Sequence, residues 1–165
     1  MLPAIETASI IGLGQIGGSL AMALKKAGYF PKLGGFDSDK KRRQLAASFL
    51  DQHFETIEDA FEKSDLLILA TPVGDILHLL EFGFQHYPQK LYSDVGSAKQ
   101  PMMKLAAGYK DIRFVGGHPL AGSEKSGESG WDETLFEDKP YFYVPAPNPP
   151  AKDVELLVEM IRAIK

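Results

Sequence analysis

Three glycines, Gly12, Gly14 and Gly17, stand at G-x-G-x-x-G spacing, and a histidine, His118, stands in the string Gly117-His118-Pro119. The glycines do their chemistry through the backbone. Gly12 makes a tight turn, Gly14 leaves room for a pyrophosphate, and Gly17 lets the following helix pack closely on the strand. Gln15 and Ile16 open that helix, and their free N–H groups at its positive end suit phosphate oxygens. Asp37, twenty residues after Gly17, falls where an acidic side chain accepts hydrogen bonds from an adenosine ribose. The histidine offers different chemistry. A hydride leaving an alcohol carbon beside a nicotinamide needs a proton acceptor, and imidazole, with a reference pKa of about 6.5, suits that task. Ser97 can hydrogen-bond the imidazole or a substrate hydroxyl. Lys99, Ser123, Glu124 and Lys125 complete two polar clusters at strand ends. Without other context, His118 reads equally well as a turn histidine before a proline. His53, His78 and His86 read as structural or solvated.

These residues need elements to hold them. Ala8 to Ile11 is an apolar run suited to a strand buried on both faces. Ile16, Leu20, Ala23, Leu24 and Ala27 then recur at helical spacing, with Gly28 as C-cap. Further strands are expected at Lys32–Phe36, His53–Thr56, Asp65–Ala70, Leu91–Val95, Ile112–Gly116 and Tyr141–Val144. Helices are expected at Asp39–Leu50, with Leu45, Phe49 and Leu50 inward, and at Ile57–Lys63. Others follow at Asp75–His86, with Ile76, Leu79, Leu80 and Phe84 inward, and at Pro101–Ala107. Thr71, Pro72 and Val73 follow a strand end, which places them along the cofactor. Leu120 to Trp131 is a glycine- and serine-rich loop, of a length that is functional or disordered. Alternating strands and helices predict an α/β fold, a doubly wound, mostly parallel Rossmann sheet with helices on both faces.

Composition narrows the partners. A net charge of −4 over 165 residues offers no basic surplus for a nucleic acid. The chain has no cysteine, which excludes disulfides and thiolate metal sites and fits a reducing, cytoplasmic setting. No apolar run approaches the roughly 20 residues that span a bilayer, and the N-terminus lacks a secretory pattern. The cluster Lys40-Lys41-Arg42-Arg43 suits an NADP 2′-phosphate, whereas Asp37 repels it; Asp37 holds the ribose position itself, so NAD is expected over NADP.

The strings GLGQIGGSLA, DVGSAK and FVGGHPLAGSEKSG, followed by LFEDKPY, resemble the prephenate and arogenate dehydrogenases of tyrosine biosynthesis. That resemblance implies oxidative decarboxylation of prephenate or arogenate with NAD or NADP as oxidant. It implies His118 as acceptor of the ring-hydroxyl proton and Ser97 as its assistant near the nicotinamide. Ala98 stands where the family often has valine. The resemblance also implies a further helical domain that supplies homodimer contacts and an arginine for the substrate carboxylate. The expected organisation is a cofactor domain over residues 1–145, a proline-rich linker at 146–150, and from 151 the start of that helical domain. The helix there, Lys152–Ile164, carries Val154, Leu157, Val158 and Ile161 on one face, and it reads as truncated. Lys99, Arg113 and Lys125 are the nearby cations for a dianionic substrate. The other readings are a related Rossmann dehydrogenase or imine reductase, and an NAD-binding module without catalysis.

Overall fold

The computed structural model describes residues 5–147 and 149–165. Asn148, within the expected linker, and residues 1–4, at the start of the expected cofactor domain, lie outside the described residues.

The first unit is β1 (Thr7–Ile11), α1 (Gln15–Ala27) and β2 (Lys32–Phe36). It continues through α2 (Lys40–Ala46), β3 (Gln52–His53), α3 (Ile57–Lys63) and β4 (Leu66–Leu69). Then come α4 (Val73–His86), β5 (Leu91–Asp94), α5 (Gln100–Ala106), β6 (Arg113–Pro119), β7 (Tyr141–Pro145) and α6 (Ala151–Ala163). The seven strands form one sheet in the order β3-β2-β1-β4-β5-β6-β7. Every pairing is parallel except β6 with β7. The expected doubly wound fold is therefore present, with an antiparallel edge strand.

Alternation along the strands divides the interior into two cores. Ala8, Ile10, Leu66, Ile68, Leu91 and Val115 face α1 and α6. Ile11, Leu67, Leu69, Tyr92 and Phe114 face α3, α4 and α5. Burial on both faces explains why these strands read as continuous apolar runs. Gly28, at φ 60°, caps α1 in the left-handed conformation and returns its N–H to Lys25.

The structure departs from expectation where distant pairing decides an element's end. The second helix stops at Ala46 instead of Leu50, and Leu45 is 44% exposed. The chain turns there so that Asp51 can accept the Leu33 N–H at 2.9 Å. The third strand is only Gln52–His53, because Thr56 is taken as the cap of α3, accepting the Asp59 N–H at 3.2 Å. The sixth strand runs on to Pro119, since β7 supplies a partner for Gly117, His118 and Pro119.

The helix expected to begin a second domain is packed into this one. Leu157, Met160 and Ile161 of α6, with Ile164 just after it, join the core of α1, and Val154 and Val158 are half-buried. Asp153 accepts from Arg113 Nε and Nη2 at 2.8 and 2.6 Å, with both residues buried. Arg113 is thereby spoken for, at the start of β6, and is no substrate cation.

Candidate functional site

The glycine turn is built as its spacing requires. Gly12 has φ 93°, and a Cβ there would come within 2.8 Å of the Ala70 carbonyl group, so the turn lies directly against the end of β4. A Cβ on Gly17 would come within 1.9 Å of the Gly12 carbonyl oxygen. Around Gly14 nothing lies within 4 Å of a Cβ position. That open side faces a cavity of about 410 Å³ whose wall includes Gly12, Gly14, Asp37, Arg42, Thr71 and Pro72. The wall excludes three expected residues. Gln15 and Ile16 open α1 beside it, and Val73 begins α4 and packs on the second core.

Asp37, 6% exposed, anchors this end. Its carboxylate accepts the Leu13 N–H at 2.7 Å and the Asp39 N–H at 2.8 Å. Arg42 Nη1 donates to both of its oxygens, at 3.1 and 3.2 Å. The basic cluster is thus no simple solvated helix face. Arg42 bridges Asp37 and Glu128, and Arg43 is buried, donating to the Asp37 carbonyl at 2.6 Å and lying over the Phe36 ring. The hydroxyl of Thr71 is buried in the cavity wall without a partner among the described residues.

The segment after β6 is a loop, as expected, with one 3₁₀ turn, and it lies over α1. Its Ser123 hydroxyl and N–H are held by the two ends of the Gln15 amide. The Trp131 indole N–H donates to the carbonyls of Leu13 and Gly14 at 2.9 and 3.1 Å. Ser19 accepts the Asp132 N–H at 2.9 Å. Glu128, in a short 3₁₀ turn over Gly127–Gly130, accepts from Lys41 at 3.1 Å and Arg42 at 3.4 Å. Its own backbone N–H, then the Lys41 and Arg42 charges, hold the Glu128 carboxyl at about 2. Ser123, Glu124 and Lys125 are exposed, and Ser123 serves the glycine turn.

A second buried carboxylate organises the other end of the cleft. Asp94, at the end of β5, accepts the Gly96 N–H at 2.9 Å, the Gly117 N–H at 3.2 Å and the Lys99 ammonium. Burial pushes the Asp94 carboxyl up and the Lys99 ammonium down, and each charge counters the shift of the other. Lys99, paired here, is not a free cation for substrate. Ser97 is exposed between the two Asp94 partners Gly96 and Lys99, and His118 follows Gly117. The imidazole and the Ser97 hydroxyl make no hydrogen bond to one another among the described residues. The Tyr141 hydroxyl, packed against Gly117, is buried without a partner among the described residues, and burial raises its pKa.

Register relates the two ends. Ile11, Leu69 and Asp94 lie in one row across the sheet, and Ser93 pairs with Val115, so Gly116 continues that row. His118, two residues on, stands about 7 Å beyond it at ~3.3 Å per residue, past the same sheet edge as the Gly12 turn. It shares the face of Gly116, whose Cβ position lies 3.1 Å from the Lys99 side chain. That is also the face of Ile11, Ile57 and Leu79, which line the cavity. Sequence reasoning missed Asp94, Trp131 and the pairing of Arg42 with Asp37 and Glu128. A lone tryptophan in a glycine-rich loop was the one local signal among them.

Comparison with known proteins completes the picture. Residues 20–165 match the family model for the prephenate dehydrogenase nucleotide-binding domain. The prephenate dehydrogenase of Bacillus subtilis (strain 168) is 35% identical over 165 residues, 95% of this chain and 44% of that protein. The prephenate dehydrogenase of Lactococcus lactis subsp. cremoris (strain MG1363) is 38% identical over 141 residues, 80% of this chain and 39% of that protein. A crystal structure of prephenate dehydrogenase from A. aeolicus with hydroxyphenyl propionate and NAD+ superposes with a TM-score of 0.86 at 25% identity, covering 99% of this chain and 59% of that one. The chain thus spans less than half the length of these two curated relatives.

Proposed function

This chain belongs to the prephenate dehydrogenase nucleotide-binding domain family, and we propose that it binds NAD and supplies His118 and Ser97 to the oxidative decarboxylation of prephenate or arogenate by the whole protein. The observation that carries this reading is the shared edge and face of His118 and the cavity beside the glycine turn.

The residues fit a dinucleotide. Gly14 leaves an open cradle, the Thr71 hydroxyl lacks a partner, and the N–H groups of Gly14 and Gln15 donate to no acceptor among the described residues. Asp37 stands in the wall where a ribose hydroxyl would meet a carboxylate. With Arg42 engaged by Asp37 and Glu128, the site favours NAD over NADP. A bound NAD would supply the acceptor for the hydride from the ring carbon that bears the hydroxyl. His118 takes the hydroxyl proton at a ring nitrogen as the ring carboxylate leaves as CO₂ and the ring becomes aromatic. Ser97 orients the imidazole or the hydroxyl, and Asp94 fixes the backbone just before each of them through the Gly96 and Gly117 N–H groups. Of the three cations considered, Lys125 remains available to a substrate carboxylate. The arginine implied by the family resemblance, and the homodimer contacts, belong to the rest of the protein. No helix among the described residues is long and apolar enough to cross a membrane, in keeping with a cytoplasmic enzyme that handles small molecules.

The test is a calorimetric titration of the chain with NAD, followed by addition of prephenate or arogenate while reduced cofactor is read by absorbance. NAD uptake is expected. Absence of uptake would overturn the proposal. Uptake without turnover would assign the completing groups to the remainder of the protein. In the full-length enzyme, His118→Asn is expected to lower turnover by about 10²–10⁴ with NAD affinity unchanged, and turnover like wild type would remove His118 from the role.

A further inference from the structure

We infer that the Trp131 indole is a positioning residue for the phosphate-binding turn, holding it from behind so that its N–H groups face a pyrophosphate. The inference rests on the dinucleotide reading above and adds a residue outside the glycine motif.

The indole N–H is shared between two successive carbonyls, those of Leu13 and Gly14. In a trans peptide the C=O and N–H point in opposite directions. Drawing the Leu13 carbonyl toward the indole therefore turns the Gly14 N–H away from it, and drawing the Gly14 carbonyl does the same to the Gln15 N–H. Both N–H groups, like those of Ile16 and Gly17 after them, find no acceptor among the described residues. Gly14 lines the cavity, whereas Trp131 is absent from its wall. The tryptophan touches the turn and not the ligand space.

Its own position is fixed on three sides. A Cβ on Gly18 would fall 1.9 Å from the indole nitrogen, so only glycine admits the ring at that point of α1. Phe49 meets the ring edge to face at 5.2 Å between centroids. The flanking Asp132 N–H and the Gly130 carbonyl are both tied to the Ser19 hydroxyl. Packing alone would need none of the indole's polarity. The bifurcated N–H contact is directed at the two peptides whose orientation decides how the turn meets a phosphate.

The test separates phosphate recognition from general integrity by comparing ligands with and without phosphates. Trp131→Phe keeps an aromatic ring against Phe49 and removes the donor. It is expected to weaken ADP and NAD about tenfold by calorimetry, with adenosine affinity, followed by chemical-shift perturbation, unchanged. Gly18→Ala keeps the tryptophan but displaces it, and it is expected to give the same selective loss. It also reports directly, because Trp131 is the chain's one tryptophan: ADP is expected to change its emission in wild type, and that change should be lost. Full ADP affinity in Trp131→Phe, or an equal loss for ADP and adenosine, would overturn the inference. If Trp131→Phe does not fold, Gly18→Ala decides by the same two criteria. A wild-type chain that takes up no ADP would overturn the dinucleotide reading, and the inference with it.

Discussion

Asp37 and Asp94 are two buried carboxylates at strand ends on one sheet edge, each accepting two backbone N–H groups and one cationic side chain. Asp37 belongs to the cavity wall, and its partner Arg42 is held from outside by Glu128. Asp94 is fully buried, and its partner Lys99 is 16% exposed at the side chain. The same three-donor arrangement thus serves two ends. At the nucleotide end it leaves a charged surface facing a ligand space. At the histidine end it is closed off and acts on the backbone just before Ser97 and His118, a turn in one case and strand β6 in the other. Exposure, not the donor set, separates a receptor from a scaffold.

Substitutions can break or sharpen that contrast. The largest effect is expected from Asp94→Ala, which strands the Lys99 charge and two amide N–H groups. Urea unfolding should show a loss of about 3–5 kcal/mol, and a loss below about 1 kcal/mol would make Asp94 no scaffold. Asp37→Asn keeps an acceptor for Leu13 and sits beside a more exposed cation, so it should lose only about 1–2 kcal/mol. Its main effect should be NAD affinity, weakened about tenfold by calorimetry. Equal loss of stability in the two variants would erase the distinction between the ends.

Smaller effects probe the outer tie. Glu128→Gln should lower the thermal midpoint only slightly, since solvent screens this exposed tie, and, by freeing Arg42 from one carboxylate, raise NADP affinity relative to NAD severalfold in competition titrations. The pH dependence follows from the sign of the Glu128 shift, from 4.5 down to about 2. A lowered carboxyl contributes fully above its ordinary value and loses that contribution as pH falls through the folded value. Trp131 emission should therefore be flat from neutral pH to about 5 and change only between about 4.5 and 2. A transition above pH 5 would show that another group controls the tie.

How much of this could be read from the chain depended on distance along it. The turn from Gly12 to Asp37 is contiguous, and α3 matches its expected span because both its cap, Thr56, and its last residue, Lys63, are local. Leu45 is exposed where periodicity turns it inward, because helical spacing carries no information about Asp51 turning back to Leu33. Lys99 and Arg113 looked like free cations for a related reason. Lys99 meets a carboxylate five residues away whose sequence context marks it only as a strand residue, and Arg113 meets one forty residues away on α6. Charge is visible in a sequence; whether it has been neutralised is a tertiary fact. Trp131 is the extreme case, acting on a motif more than a hundred residues earlier.

The clasp between Arg113 and Asp153 has a practical side. A cut in the chain between Ala146 and Ala151 would sever the peptide yet release nothing, because α6 stays fastened by a buried ion pair and by Leu157 and Met160. The two pieces should co-elute on gel filtration and part only in denaturant. Ending an expressed product at Pro150 would leave a guanidinium stranded under bared apolar surface, so a soluble nucleotide-binding unit must keep α6.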